Sequence, residues 1–408
     1  MKLNWFSPLL PAKTDIARYT SELLPEVCAL ADVTLWTTQA KWDPCLPEQI
    51  PIRRYRVDRI PWLEINAADM SIFQMGNNPE FHGDIWQVAR RQPGVVVLHD
   101  TSLHHFFEGI YRRELRDLDR YVEVMRRYYG REGAEAALRN FASRGRENDQ
   151  MAVSFPLTEH ALEDARGVLV HTAQAYECLR TVLSVPICYV PLPFSARESS
   201  NVEGASERRA PPFRLVLFGY LGSNRRVSVI LAALAAMSER EKFSLDIYGV
   251  LGGESQIKRQ LKSMRLSNVK IHGFVSDHEL NRALSSAHMA INLRNPTMGE
   301  ASGSQLRIWS HALPSLVSEV GWYASLPRDT VRMVRLGQHE IPDIQRHLRD
   351  FLKEPDEFKR MGERGRMRLL AEHSPKVCAN AIVELVSRIS RTPKTRGNAH
   401  RALTQTSK

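Results

Sequence analysis

Short apolar runs alternate with stretches in which apolar residues recur at helical spacing, and this alternation covers most of the chain. Buried strands of a parallel sheet are short continuous apolar runs, whereas a helix that packs on one face is apolar every three or four residues. The first half predicts a helix over positions 16–30, a long helical stretch over 103–165, and strands at 3–6, 33–37, 72–75, 95–98 and 168–170.

The same alternation starts again after positions 196–212, a polar stretch that ends in two prolines and has the composition of a linker. Strands are predicted there at 214–218, 245–248, 269–271, 289–293 and 315–317, with helices between them. Strands that alternate with helices indicate parallel sheets covered on both faces. We therefore predict an α/β protein with two doubly wound, Rossmann-like domains, 1–195 and 213–374, that face each other across a cleft. A last helix, 375–390, could pack back on the first domain.

The composition narrows the class of protein. The chain has 408 residues, of which 43% are hydrophobic and 25% charged, and this excludes disordered and fibrous proteins. Its longest apolar run, 229–237, is well short of the roughly 20 residues that span a bilayer. The N-terminus lacks the pattern of a signal peptide, and the five scattered cysteines form no Cys-x-x-Cys pair. We expect a cytoplasmic protein without a cysteine zinc site.

The formal net charge is +10, and half of it lies in the tail 391–408, which contains five basic residues and no acid. The tail shows no apolar periodicity, so we predict a disordered, solvated end. The alternative is a basic arm that binds nucleic acid. We favour the first interpretation and expect no nucleic-acid partner.

A glycine-containing loop begins the second domain. Gly219 and Gly222 follow a predicted strand, and Arg225 and Arg226 stand at the start of the next helix. Glycines let the backbone approach a ligand, and arginines beside a helix N-terminus favour an anion such as a diphosphate. The alternative is a turn with solvated arginines. No Gly-x-Gly-x-x-Gly or Gly-x-x-x-x-Gly-Lys-Ser/Thr motif occurs, which lowers the expectation of a dehydrogenase or a P-loop ATPase.

A second loop lies between the strand 289–293 and the following helix. It contains Glu300, followed by Ser302, Gly303 and Ser304 at the predicted start of the helix. Small residues there expose backbone N–H groups to an anion or to sugar hydroxyls, and a carboxylate accepts hydrogen bonds from hydroxyls. The alternative is that Glu300 or Ser302 caps the helix.

Three histidines follow the strand 95–98. His99 ends that strand and could bind a sugar hydroxyl or stabilise developing positive charge. With His104 and His105 it could also suggest a metal site, but no clear third-ligand pattern accompanies them, and we predict no metal.

The pair Asp117 and Asp119 has the Asp-x-Asp spacing that metal-dependent sugar transferases use. It falls in a helical stretch, where residues two apart point to different faces, so we interpret it as solvated charge. The surrounding residues 111–147 contain ten arginines and seven acids, interleaved with aromatic residues. This stretch could lie on an anionic membrane surface, or it could be a core helix with a solvated face.

The segments GYLGSNRRVSVILAAL, QMGNNPEFHGDIW, PGVVVLHDTSLHHF and INLRNPTMGEASGSQLRIW together resemble bacterial glycosyltransferases of family 4. The resemblance runs from about position 3 to position 390. It implies the two-domain GT-B fold, with the acceptor on the side of the first domain and the nucleotide sugar in the second. It also implies a reaction that retains the anomeric configuration.

The resemblance also assigns roles to residues. Arg225, at the position of the usual lysine, and Arg226 would bind the donor diphosphate with Ser302, Gly303 and Ser304. Glu300 is the first of the family's paired glutamates and would hold the donor sugar, with His99 as the histidine near that sugar. The base would contact a loop formed by Gly273, Phe274 and Val275.

Two positions depart from the family pattern. Ile308 stands where the second glutamate is expected to bind ribose, and Asp15 stands in the first loop where glycine is usual.

Taken together, the motifs and the resemblance predict a metal-independent glycosyltransferase of hexosyltransferase type that needs no cofactor. Its partners would be a nucleotide sugar, a glycan or lipid-linked acceptor of a bacterial surface polysaccharide such as lipopolysaccharide, and an anionic membrane surface. The alternatives are a nucleotide-sugar epimerase and a non-catalytic relative that binds nucleotide sugars or glycans.

Overall fold

The structure is a computed structural model that describes residues 1–43, 46, 49–143, 148–196 and 210–391. Most of the predicted linker, the end of the basic stretch 111–147, Cys45 and nearly all of the tail 391–408 lie outside the described residues. The strands are β1 Lys2–Phe6, β2 Asp32–Thr37, β3 Ile52–Arg54, β4 Met70–Met75, β5 Val95–Leu98, β6 Gly167–Val170, β7 Ile187–Tyr189, β8 Phe213–Leu221, β9 Phe243–Leu251, β10 Val269–Gly273, β11 Met289–Asn292, β12 Ser315–Ser318 and β13 Arg332–Val334.

Helices connect most of these strands. They are α1 Asp15–Cys28, α2 Trp62–Ile65, α3 Pro79–Ala89, α4 His104–Gly109, α5 Leu118–Ala142, α6 Asn148–Ser154, α7 Thr158–Leu162, α8 Ala173–Val182, α9 Val227–Ala235, α10 Glu254–Ser263, α11 Asp277–Ser286, α12 Gly303–Ser310, α13 Gly321–Ala324, α14 Glu340–Lys353, α15 Pro355–Glu372 and α16 Pro375–Arg391. Among the described helices, none is both long enough and apolar enough to cross a membrane.

The chain divides into two compact units. Unit 1 comprises Met1–Pro193, Met298–Ala301 and the chain from Ser374 onward, and unit 2 comprises Phe194–Thr297 and Ser302–His373. The four-residue segment Met298–Ala301 therefore departs from the sequence-based boundaries, which put it in the second domain. Its contacts with Thr101 and Ser102, described below, account for its place in unit 1.

Unit 1 is built on a seven-stranded sheet in the order β3-β2-β1-β4-β5-β6-β7, and every neighbouring pair is parallel. One face packs under α3 to α8 through aromatic residues such as Phe73 and Trp86. The opposite face packs under α1 and α16, with Trp5 and Ile382 in the same buried cluster. Burial on both faces explains why β4, β5 and β6 are continuous apolar runs in the sequence.

Unit 2 is built on a six-stranded parallel sheet in the order β10-β9-β8-β11-β12-β13. Its larger core lies under α9, α10, α14 and α15, and a smaller cluster lies under α11 and α12. Both units thus have the doubly wound architecture that the sequence predicted. In each of them the carboxyl ends of the strands meet at one edge, where α/β sheets bind their ligands.

The long helical stretch predicted over 103–165 is broken into several pieces. A π-helical turn, Ile110–Glu114, follows α4, and α5 contains a kink at Gly130, whose φ is +64°. The positive φ at Gly130 is incompatible with a regular helix, so it divides α5 into two helical segments. The short edge strands β3, β7 and β13 were also not predicted, because they are only partly buried and do not stand out as the continuous apolar runs that β5 and β6 form.

Candidate functional site

Two glycines face each other near the carboxyl ends of β8 and β9. Gly219 and Gly249 are partners in the strand register, and their φ angles are +113° and +112°. A Cβ atom on Gly249 would lie 2.0 Å from the carbonyl oxygen of Gly219, closer than any side chain can approach. Both positions therefore require glycine, and the two strands are held together at the point where the predicted diphosphate loop begins.

Arg225 lies below this loop. A 3₁₀ turn, Ser223–Arg225, follows β8, and the Arg225 side chain is 2% exposed. Its Nη2 donates a hydrogen bond to the carbonyl oxygen of Phe218 over 3.0 Å. A Cβ atom on Gly219 would lie 3.8 Å from Arg225 Nη2 and 3.7 Å from Ser304 Oγ. The arginine and the serine therefore flank the bare backbone of Gly219, and their binding of a phosphate stays a prediction.

The side chain of Arg226 is placed differently. Its Nε and Nη2 donate to the two carboxylate oxygens of Glu340 over 2.8 and 2.5 Å. Glu340 is 2% exposed and lies at the first position of α14. Arg226 thus makes a bidentate ion pair inside unit 2. Its contact with a diphosphate stays a prediction, and the ion pair argues against it because the guanidinium is already bound to a carboxylate.

The start of α12 completes this corner of unit 2. Ser302 is the N-cap, and its hydroxyl accepts a hydrogen bond from the backbone N–H of Gln305 over 3.1 Å. Gln305 is itself buried and hydrogen-bonded to Asn292 and Ser315. The cap is therefore Ser302 rather than Glu300, and the N–H groups of Gly303 and Ser304 belong to the first turn, which has no acceptor within the helix.

Glu300 belongs to unit 1 with the segment Met298–Ala301. Its Oε2 accepts from the backbone N–H of Met298 over 2.7 Å, and the carbonyl oxygen of Met298 accepts from the backbone N–H groups of Thr101 and Ser102 over 2.9 Å each. A Cβ atom on Gly299, whose φ is +80°, would lie 1.7 Å from Thr101 Oγ1. Gly299 is therefore required for this segment to approach Thr101.

No carboxylate occupies position 308. Ile308 is 1% exposed and packs with Val216 and Phe218 in the smaller cluster of unit 2. The preceding Arg307 binds Asp277 and Asn281 of α11. Position 308 is thus a core position here, and the side chain next to it is used to fix α11 on α12.

The predicted base loop follows β10. Gly273 has a φ of +70°, and Phe274 is 62% exposed. Ser276 begins α11 with a capping box in which its hydroxyl accepts from Glu279 N and the Glu279 carboxylate accepts from Ser276 N. An exposed aromatic side chain beside an open glycine is suited to contact a flat group such as a base.

His99 lies at the carboxyl end of β5 in unit 1. Its Nε2 is 2.8 Å from Oε1 of the buried Gln74 on the neighbouring β4. Tyr19 contacts the ring edge-on at 4.7 Å between centroids, and the ring of His171, at the end of β6, lies 5.5 Å away. Burial, with the neighbouring rings of His171 and His82, lowers the pKa of His99 well below its usual value. His99 is therefore neutral at pH 7 and can exchange hydrogen bonds with a hydroxyl.

The remaining candidates have local roles. His104 Nε2 is 2.7 Å from the hydroxyl of the buried Tyr121, and burial lowers the His104 pKa to about 4. His105 lies instead beside Asn77 and Asp149. Asp117 is the N-cap of α5, because its carboxylate accepts from Arg120 N over 2.9 Å. Three or more metal-ligating side chains are nowhere grouped within the described part of the chain.

Asp15 is exposed in the first turn of α1, which Thr14 caps. A carboxylate in the first turn is favourable for the helix dipole but would repel a phosphate. The departure from glycine at this position therefore has a local structural reason in this chain.

Comparisons with known proteins identify the fold. Residues 225–384 match a family model described as Glycosyl transferase-like. No curated protein matches the chain. Among solved structures, the Anabaena protein HepE in complex with UDP and glucose has a TM-score of 0.62 at 12% identity, over 95% of this chain and 99% of that chain. The chain has the GT-B fold.

Two further GT-B structures come from enzymes of lipopolysaccharide synthesis. WaaG, a glycosyltransferase involved in lipopolysaccharide biosynthesis, has a TM-score of 0.60 at 15% identity, over 94% of this chain and 99% of that chain. The lipopolysaccharide outer core galactosyltransferase WaaB has a TM-score of 0.54 at 13% identity, over 94% and 99%. At these identities the likeness shows the fold, and it confirms the predicted fold class.

Sequence reasoning missed three residues of the site. Gln74 and His171 end strands that neighbour β5 in the sheet, and Glu340 lies 114 positions beyond Arg226. The first two could have been found by reading the polar residue at the end of each predicted strand. Nothing in the sequence links Glu340 to Arg226.

The ion pair of Arg226 predicts a loss of stability. Replacing Arg226 by Ala leaves the buried Glu340 carboxylate without its bidentate partner, which should cost about 3 kcal/mol of the free energy of unfolding. Arg360→Ala, which removes an exposed ion pair with Glu357 in the same unit, should cost less than about 1 kcal/mol. Urea unfolding of the two variants measures both values.

The double variant Arg226→Ala/Glu340→Gln should regain part of the loss, because it also removes the buried charge. If Arg226→Ala is as stable as Arg360→Ala but has lost affinity for nucleoside diphosphates, Arg226 is a ligand-binding residue and the structural assignment is wrong.

Proposed function

We propose that this protein is a retaining glycosyltransferase that moves a sugar from a nucleoside diphosphate sugar to a glycan or lipid-linked glycan. The observation that carries the proposal is the corner of unit 2 in which Arg225 and Ser304 flank the bare backbone of Gly219 at the start of α12. A guanidinium and the N–H groups of a helix start bind phosphates. The HepE structure, which has the same fold, contains UDP and glucose, and this supports a nucleotide sugar as the donor.

In this proposal the diphosphate binds to Arg225, Ser304 and the N–H groups at Gly303. The bond between the anomeric carbon and the diphosphate oxygen breaks, and its electron pair stays on that oxygen, so charge develops next to Arg225. Positive charge fixed at that position stabilises the leaving group more in the transition state than in the substrate. The buried guanidinium needs no reorganisation to do so.

Glu300 and His99 are proposed to act on the sugar. Glu300 would accept hydrogen bonds from its hydroxyls, and the neutral His99 would exchange a hydrogen bond with another. The acceptor hydroxyl then bonds to the anomeric carbon on the face that the diphosphate leaves, and its proton passes to a leaving phosphate oxygen. This sequence retains the anomeric configuration through an oxocarbenium-like transition state and assigns no step to a metal ion, in keeping with the use of Asp117 as a helix cap.

A non-catalytic protein that binds nucleotide sugars is the second candidate. It is favoured by Ile308, which fills a core position where the resembled family has a glutamate. Donor turnover separates the two candidates, because a binding protein leaves the donor intact.

The first test of the proposed function is a product analysis. The protein is incubated with UDP-, GDP- and ADP-sugars and with lipopolysaccharide-type acceptors, and free nucleotide and glycoside are measured. We expect at least one donor to yield nucleoside diphosphate and a glycoside of unchanged anomeric configuration, equally well with EDTA. Donors that stay intact with every acceptor would support the binding protein, and free sugar or an epimer instead of glycoside would support an epimerase. Activity lost in EDTA and restored by Mg²⁺ would contradict metal independence.

A second test separates the diphosphate from the sugar. Arg225→Met keeps most of the buried volume but removes the charge, so the affinity for the nucleoside diphosphate should fall by about one to two decades. Glu300→Gln should reduce transfer sharply and leave that affinity unchanged, because the free nucleotide has no sugar. Calorimetry with the nucleotide and turnover with the sugar donor measure the two effects.

Arg214→Met, which changes an arginine at the far end of the same strand β8, is the matched control and should alter neither quantity. If Glu300→Gln weakens nucleotide binding as much as Arg225→Met does, Glu300 does not belong to the sugar site.

We also propose that unit 1 binds anionic membranes, where lipid-linked acceptors reside. The surface before α5 carries two exposed apolar side chains, Leu115 and Leu118, which are 54% and 42% exposed, beside the exposed Arg113 and Arg116. Apolar residues flanked by arginines bind the interface of anionic bilayers. WaaG, a glycosyltransferase involved in lipopolysaccharide biosynthesis, and WaaB, a lipopolysaccharide outer core galactosyltransferase, share the fold, which supports such an acceptor.

Vesicle sedimentation tests this surface. The protein should sediment with phosphatidylglycerol vesicles at low salt and be released as salt is raised, because screening weakens exposed charges. The double variant Leu115→Gln/Leu118→Gln should lose most of the binding, and Leu138→Gln, at a similarly exposed position of α5, should keep it. Absence of sedimentation at low salt, or equal binding by both variants, would contradict the proposal.

A further inference from the structure

A buried glutamine holds the ring of His99. Gln74 is completely buried on β4, and its Oε1 lies 2.8 Å from His99 Nε2. Among the described residues, Gln74 Nε2 has no hydrogen-bond partner, so the contact with His99 is the one that its side-chain amide makes. A buried amide whose N–H groups donate to nothing lowers the stability of the fold. A role for the one hydrogen bond that Gln74 does make, to His99, would explain why a glutamine is buried here.

The neighbouring histidines show how the ring protons are distributed. His82 Nδ1 is 2.9 Å from the backbone oxygen of Gln74, and His171 Nδ1 is 3.0 Å from the backbone oxygen of Val190. A carbonyl oxygen can only accept, so the ring nitrogen that faces it carries the proton. His82 and His171 are therefore Nδ1–H tautomers, whereas His99 meets its carbonyl through Nε2.

We propose that Gln74 is a positioning residue that fixes His99 as the Nε2–H tautomer and so presents His99 Nδ1 as a hydrogen-bond acceptor. In the described part of the chain Nδ1 has no protein partner, and it is not among the buried atoms that lack one, so it is accessible to a ligand. The hydrogen bond would come from a hydroxyl of the donor sugar or of the acceptor glycan. This part of the inference rests on the proposed function. A protonated His99 could not accept at all.

The surroundings of His99 keep its ring neutral. The groups that face it are Tyr19 from α1, His82 from α3 and His171 from the end of β6. The Asp100 carboxylate, next in the chain, accepts from the backbone N–H of Asn77. Burial raises the pKa of Tyr19 well above its usual value and lowers that of His82 to about 4, so both are uncharged at pH 7. Because the ring is neutral, its tautomer determines whether His99 Nδ1 donates a hydrogen bond to a substrate or accepts one from it.

The full chain labelled with ¹⁵N-histidine tests the inference directly. Long-range ¹H–¹⁵N spectra distinguish the two tautomers, and the His99 signals are assigned by their absence in His99→Gln. We expect the wild type to show the Nε2–H form and Gln74→Met, which keeps the volume but cannot accept, to lose this single form. Gln74→Glu can still accept, so it should keep the Nε2–H form while raising the pKa of His99 by more than one unit. Gln39→Met removes a comparable glutamine that bonds to the backbone of Leu9, and it should leave the His99 signals unchanged.

Turnover provides a second readout. Gln74→Met should lower kcat about tenfold, which corresponds to the loss of one well-placed hydrogen bond, with little change in nucleotide affinity. Gln74→Glu should recover part of this activity above the raised pKa of His99. An Nδ1–H tautomer in the wild type, or an unchanged His99 spectrum in Gln74→Met, would overturn the inference. If the tautomers behave as expected but no donor is turned over, the inference on Gln74 stands and the proposed function fails.

Discussion

The candidate donor site depends on the close approach of β8 and β9 at Gly219 and Gly249. Both residues have φ angles that side chains rarely adopt, and a Cβ atom on Gly249 would collide with the backbone of Gly219. β8 ends at Leu221, and the 3₁₀ turn Ser223–Arg225 follows it. From that turn Arg225 donates a hydrogen bond back to the carbonyl oxygen of Phe218 in β8. Ser304 Oγ and Arg225 Nη2 both lie near Gly219, 3.7 and 3.8 Å from the position that a Cβ atom would take there. The paired glycines thus hold β8 and β9 together beside an arginine, a hydroxyl and a helix start.

Neighbouring arginines have different roles because of what surrounds them. Arg225 is buried next to the strand end and donates to a carbonyl oxygen, whereas Arg226 turns to the carboxylate of Glu340. The ion pair anchors the start of α14, and a second carboxylate on that helix, Asp343, binds Arg335, which lowers the Asp343 pKa to about 2. The two buried carboxylates of α14, Glu340 and Asp343, are therefore both paired inside unit 2. Two histidines of unit 1 differ in the same way. His99 Nδ1 stays accessible, whereas His104 is hydrogen-bonded to the buried Tyr121.

The sequence was sufficient for most of the fold and for part of the site. Apolar runs such as 95–98 and amphipathic helices such as 355–372 are visible without a structure, because burial on one or both faces leaves a period in the sequence. The partly buried edge strands β3, β7 and β13 and the kink at Gly130 leave no such period. The partner Glu340 could not be assigned, because helix packing brings it to Arg226 from 114 positions away. Gln74 is different, because it is a polar residue near the end of a predicted strand and could have been found there. For Ile308, the sequence alone shows that the glutamate of the similar family is missing. Only the structure shows that the isoleucine packs in the core of unit 2.

The most direct measurement of the central claim is a crystal structure of the protein with a nucleoside diphosphate. The account predicts that the diphosphate oxygens lie within hydrogen-bond distance of Arg225 and of the hydroxyl or N–H group of Ser304, beside Gly219. Arg226 should remain bound to Glu340. A diphosphate that binds to Arg226 in place of Glu340, or that binds away from the carboxyl end of β8, would contradict the assignment of the donor site.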